Sequence, residues 1–71
     1  MADVRADMVA NVMDIYVTEG GTLNVGDTIV LLESMKMEIP VIAEEPGEVT
    51  RIAVSVGDVV QEGDLLVSIA D

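Results

Sequence analysis

Residues 10–32 read ANVMDIYVTEGGTLNVGDTIVLL, and residues 47–69 read GEVTRIAVSVGDVVQEGDLLVSI. Laid on each other at a constant offset of 37, without a gap, they agree at seven of 23 positions: Val12 with Val49, Ile15 with Ile52, Val17 with Val54, Gly20 with Gly57, Gly26 with Gly63, Asp27 with Asp64 and Val30 with Val67. Composition alone would give roughly two agreements, so one structural unit is written twice. Two copies are too few to stack as a solenoid. They fit a pseudo-two-fold domain whose halves cover a shared core.

Within each copy the apolar residues keep a period of two, the spacing of half-buried strands. Ile15 and Val17, Ile52 and Val54, Val30 and Leu32, Val67 and Ile69 are expected to point inward, with Asp14 and Arg51 outward. Outside the repeat, Val4, Ala6 and Met8 alternate with Asp3, Arg5 and Asp7, and Met37, Ile39 and Val41 alternate with Glu38, Pro40 and Ile42. No segment carries a comparable helical stripe. Gly20-Gly21, Gly26-Asp27, Pro46-Gly47, Gly57-Asp58 and Gly63-Asp64 punctuate the strands. Each supplies a residue that tolerates positive φ, followed in most cases by a carboxylate able to accept backbone N–H groups. The pattern predicts an all-β domain over residues 1–71: two antiparallel sheets packed face to face as a small sandwich or flattened barrel, with Pro40 at an edge or bulge.

Composition narrows the function. The chain has 71 residues, and 14 Asp+Glu against 3 Lys+Arg give a formal net charge of -11. Such a polyanion repels phosphate backbones and anionic headgroups, which excludes nucleic-acid and membrane-surface binding. With no Cys and no His there are no thiolates, no imidazole bases and none of the ligands zinc prefers. Ser34, Ser55 and Ser68 have no base to activate them, and Glu44, Glu45 and Glu48 around Pro46 match no dedicated cation loop, so they read as a solvated turn. An enzyme in its own right is the weakest reading. The longest aliphatic run, Ile29–Leu32, is too short to span a bilayer, and Asp3, Arg5 and Asp7 interrupt any signal-like segment. The expectation is a soluble, cytoplasmic monomer.

What remains for chemistry is one amine. Lys36 is the only lysine, since the other basic residues are Arg5 and Arg51. It lies in Glu33–Glu38, ESMKME, between the apolar runs Ile29–Leu32 and Ile39–Ala43, which places it near the tip of a hairpin. A period of two would put Met35 and Met37 on a common face opposite Lys36, with Met37 partly in the core. Subtracting the repeat offset from 36 lands just before Met1, so the two-fold is expected to set Lys36 and the chain termini at opposite ends. A four-carbon stem ending in an amine is the one side chain here that forms an amide with an activated carboxylate while adding reach.

ESMKME, with Met35 and Met37 flanking Lys36 at the centre of a duplicated β domain with Gly-Asp turns, resembles the biotinyl domain of biotin carboxyl carrier proteins. It is particularly similar to stand-alone, single-domain biotin attachment proteins, and the resemblance spans essentially the whole chain. It implies a flattened barrel of two four-stranded sheets with biotin joined to Lys36 by a biotin protein ligase using ATP. It also implies carboxylation of the biotin at a biotin carboxylase and delivery of the carboxyl group at a carboxyltransferase, usually to an acyl-CoA. Biotin does the chemistry and the domain presents it. Met35 and Met37 are implied to be flanking recognition residues, and Glu33 and Glu38 possible ligase contacts. No thumb-like insertion is present, because Thr18–Asp27 matches Ser55–Asp64 in length. That departs from bacterial acetyl-CoA carboxylase carriers and favours propionyl-CoA-type, pyruvate-type or freestanding carriers. A lipoyl carrier shares the implied fold but resembles Asp-Lys-Ala at the tip. An unmodified acidic interaction protein is the alternative from another class.

Overall fold

The repeat folds as eight strands in the computed structural model, which describes residues 2–70. The strands are β1 (Ala2–Arg5), β2 (Ala10–Ile15), β3 (Thr22–Leu23), β4 (Thr28–Ser34), β5 (Met37–Ile42), β6 (Gly47–Ile52), β7 (Val59–Val60) and β8 (Leu65–Ala70). They form two four-stranded antiparallel sheets, ordered β1-β8-β6-β3 and β5-β4-β2-β7. Under the offset of 37, β2 falls on β6 and β3 on β7 residue for residue, and β1 falls on Ile39–Ile42 of β5. The duplication therefore runs from residue 2, well outside the stretch where identities reveal it.

Pairing obeys the same two-fold. Val12 opposite Leu32 matches Val49 opposite Ile69, and Leu31 opposite Pro40 matches Ser68 opposite Asp3. Even the irregularities repeat, with a bulge between Val12 and Asp14 and its twin between Val49 and Arg51. The sheets are also interleaved: each takes its central pair from one half (β8 and β6, or β4 and β2) and its two edges from the other.

Leu23, Ile29, Leu32 and Leu66, with Val12, Val30, Val49, Val60 and Val67, form the sealed centre between the sheets. Val30, Leu32, Val67 and Ile69 point inward as the period requires, while Ile15, Val17, Ile52 and Val54 are half-buried around that centre. Strict alternation misses Val12 and Val49. The bulges place two residues opposite one, so positions 12 and 15, three apart, both face the core.

The turns hold as chemistry predicts. Gly20, Gly26, Gly57 and Gly63 adopt positive φ. The Asn24, Ser55 and Gln61 N–H groups donate to Asp27, Asp58 and Asp64 Oδ2 at 2.9, 2.9 and 2.8 Å. Gly21 and Gly47 are not left-handed. Gly47 is needed for close approach instead: a Cβ there would meet the Ala70 carbonyl oxygen and Ile69 Cγ2, each at 2.5 Å. Pro40 sits on the edge strand β5, as expected. The expected placement of the termini concerns Met1 and Asp71, which lie outside the described residues. Among the described residues no helix is long and apolar enough to cross a membrane.

Candidate functional site

The β4–β5 ladder runs in register from Thr28 opposite Ile42 to Ser34 opposite Met37, and leaves Met35 and Lys36 as a two-residue loop. Both loop residues have positive φ, 54° and 65°, the mark of a type I′ turn, and among the described residues they are the only non-glycine positions with that sign. Such turns favour Asn-Gly because a Cβ in the left-handed region costs about 1–2 kcal/mol per residue. Here the flanking ladder holds the strained conformation, and the other turns use glycine where φ is positive. Backbone strain kept by the surroundings clusters at functional sites.

This geometry corrects the sequence reading of the methionines. The turn breaks the period of two, leaving Met35 92% and Met37 61% exposed, so neither is core. Ile39 and Val41 of the same strand are half-buried and pack against the core. Met37 shares their side of the strand but lies at the end of the sheet, past the apolar cover. Lys36 is exposed between the two thioethers, and among the described residues it makes no ion pair.

The structure brings Glu33 and Glu38 together, directly opposite each other one step below the closing pair. Like charges in that position are unfavourable for the sheet. Two surface grooves exclude Lys36: one lies between edge strands β1 and β5, the other beside Tyr16, Gly21 and Leu23. No cluster of three or more Asp or Glu among the described residues is arranged to hold a metal ion, so Glu44, Glu45 and Glu48 do not form one. The Lys36 amine stands on a strained, exposed turn outside both of these grooves, where another protein's active site can reach it.

The match to known proteins covers this whole arrangement. Residues 2–69 fit the model of a family described as biotin-requiring enzyme. The chain is 56% identical over 68 residues to a biotinylated protein TB7.3 homolog of Mycobacterium leprae, covering 96% of each. It is 42% identical to 66 residues of the biotin-dependent acyl-coenzyme A carboxylase alpha3 subunit of the same organism, of which it spans 11%. Among solved structures, the lipoyl domain of the 2-oxoglutarate dehydrogenase complex from Azotobacter vinelandii superposes with a TM-score of 0.87 at 25% identity, over 100% of this chain and 98% of that one.

Proposed function

The chain belongs to the biotin-requiring enzyme family, and from that premise we propose that Lys36 carries biotin and that the domain shuttles a carboxyl group from a biotin carboxylase to a carboxyltransferase. One observation carries the assignment to Lys36: it is the only side-chain amine of the molecule, and it stands on the exposed two-residue turn of a biotinyl-type domain.

A biotin protein ligase using ATP would join biotin to Lys36 as an amide; this chain would supply the amine nitrogen of the new C–N bond, and the ligase would take up its proton. The hairpin contributes position rather than catalysis. Its left-handed turn lifts the amine clear of the ladder, and Met35 and Met37 present polarisable, adaptable groups on each side. Once bound, biotin supplies a ureido nitrogen that accepts and releases the carboxyl group. The similarity to a carboxylase subunit supports this setting, and we place the acyl acceptor among acyl-CoA thioesters.

Intact-mass analysis of protein from its native host, followed by peptide mapping, tests the reading. We expect one biotinyl group, on the peptide containing Lys36; an unmodified chain, or biotin elsewhere, would overturn it. The superposition on a lipoyl domain favours one second reading, lipoylation of the same amine. Met35 and Met37 argue against it, because a ligase must distinguish two carriers of one fold by the groups beside the amine. Met35→Asp with Met37→Ala should cut biotin transfer at least tenfold while the fold persists by circular dichroism. A folded double variant loaded at the wild-type rate would remove the methionines from recognition.

A further inference from the structure

Residues 2–70 hold four methionines, and the fold treats them unequally. Met8 is half-buried and packs against the core, and Met13 on β2 is 38% exposed. Met35 and Met37, one on each side of Lys36, are 92% and 61% exposed. They stand at the turn that the other half of the molecule lacks, and neither packs against the core. The thioethers that the fold uses least are the ones beside the amine.

Oxidation of methionine follows exposure, so an oxidant that reaches this chain meets Met35 and Met37 before the sulfur of Met13 or Met8. There is no Cys, and therefore no thiolate to consume the oxidant first. The formal net charge of -11 selects among oxidants: it repels an anion such as superoxide and leaves neutral hydrogen peroxide free to approach. A sulfoxide at either position replaces an apolar, adaptable group by a strong hydrogen-bond acceptor. Since neither side chain is part of the core, that change reaches a visiting enzyme and not the fold.

We propose that Met35 and Met37 form a reversible oxidation site that gates loading of Lys36: hydrogen peroxide converts the flanking thioethers to sulfoxides, and the biotin ligase then rejects the turn until they are reduced. The proposal rests on the biotin-carrier reading of Lys36. In the forward step the methionine sulfur attacks one oxygen of the peroxide. An S–O bond forms, the O–O bond breaks, the sulfur loses two electrons, and the displaced hydroxide takes the proton of the transferred oxygen and leaves as water. In the reverse step a methionine sulfoxide reductase, supplied with a dithiol, returns two electrons and two protons; the oxygen leaves as water and the dithiol becomes a disulfide. An enzyme pocket shaped to two thioethers has no donor for a sulfoxide oxygen, and enclosing that oxygen unpaired is what weakens transfer. An amide already formed on Lys36 is untouched by this chemistry, so the gate acts on the apo carrier.

The experiment treats the apo wild-type protein with hydrogen peroxide, removes the excess with catalase, and follows each methionine by peptide mapping. One oxygen atom is expected on Met35 first, on Met37 next, and on Met13 and Met8 last. The oxidised protein is then given to a biotin protein ligase with biotin and ATP. Transfer should slow about tenfold or more, the thermal unfolding midpoint should stay that of the untreated protein, and reductases for both sulfoxide epimers should restore the rate. Met35→Leu/Met37→Leu keeps apolar groups of similar size, and after peroxide it should load at its own untreated rate. The rescue by reduction is read on wild type and does not depend on that variant. Full-rate loading of wild type carrying both sulfoxides, oxidation of Met8 or Met13 ahead of Met35, a slowed rate that reduction does not restore, or equal slowing in the leucine variant would overturn the proposal. Untreated wild type that the ligase does not load would instead overturn the carrier reading itself.

Discussion

The two halves solve the same folding problem with the same registers, bulges and Gly-Asp turns, and differ where one has the Met35-Lys36 loop and the other has none. Left-handed backbone at the shared turns is assigned to glycine; at the unshared turn it is assigned to methionine and lysine. A feature present in both halves answers to the fold, and a feature present in one half answers either to local packing, as Gly47 does, or to something outside the fold.

Lys36→Arg should break the comparison most sharply: the turn keeps its shape and its charge, yet streptavidin capture of the expressed protein falls to background while the unfolding midpoint stays that of wild type. Residual biotin on that variant, other than at the amino terminus, would contradict the uniqueness of the site.

Position 47 probes a place where equivalent backbones are packed differently. Ala10 is buried with its methyl accommodated, but at Gly47 a methyl collides with the Ala70 carbonyl and Ile69. Gly47→Ala should therefore cost about 1–3 kcal/mol of stability in urea unfolding, whereas Ala10→Gly should cost about 0.5–1 kcal/mol.

The shared turns should respond alike. Asp27→Ala and Asp64→Ala each remove an acceptor for one backbone N–H, and both should lower stability by about 1 kcal/mol. A clear difference between them in denaturant titrations would show that the two-fold in geometry is not one in energy.

The smallest effect belongs to the strained loop. Met35→Asn offers a side chain that tolerates positive φ and should stabilise the fold by about 0.5 kcal/mol, measured by thermal unfolding, while slowing biotin transfer.

The fold was largely legible because the repeat and the period of two are both statements about which side of a strand is buried, and burial is written in residue polarity. Ile15, Val30, Val67 and Ile69 could be assigned on that basis. Val12 and Val49 could not, because a bulge changes the count of residues without changing their chemistry. The close approach at Gly47 was not legible for a related reason: a glycine that permits close approach looks the same in a sequence as one that permits positive φ. Lys36 stood out by being the sole lysine. The exposure of Met37 did not, since hydropathy cannot say where a sheet runs past its cover.

The interleaving of the sheets has a consequence for how the protein is made. β8, the last strand of the fold to leave the ribosome, is not an edge but a central strand, with β1, the first, on one side and β6 on the other. Until it emerges, β1 has no neighbour to pair with and the inner side of the finished sheet has nothing to cover it. The β4–β5 hairpin is complete much earlier, but an isolated hairpin is marginal in water. From the moment Lys36 is made until the final strand is available, a nascent chain thus holds it on an unsettled loop, and the turn that displays it becomes firm only once that strand pairs.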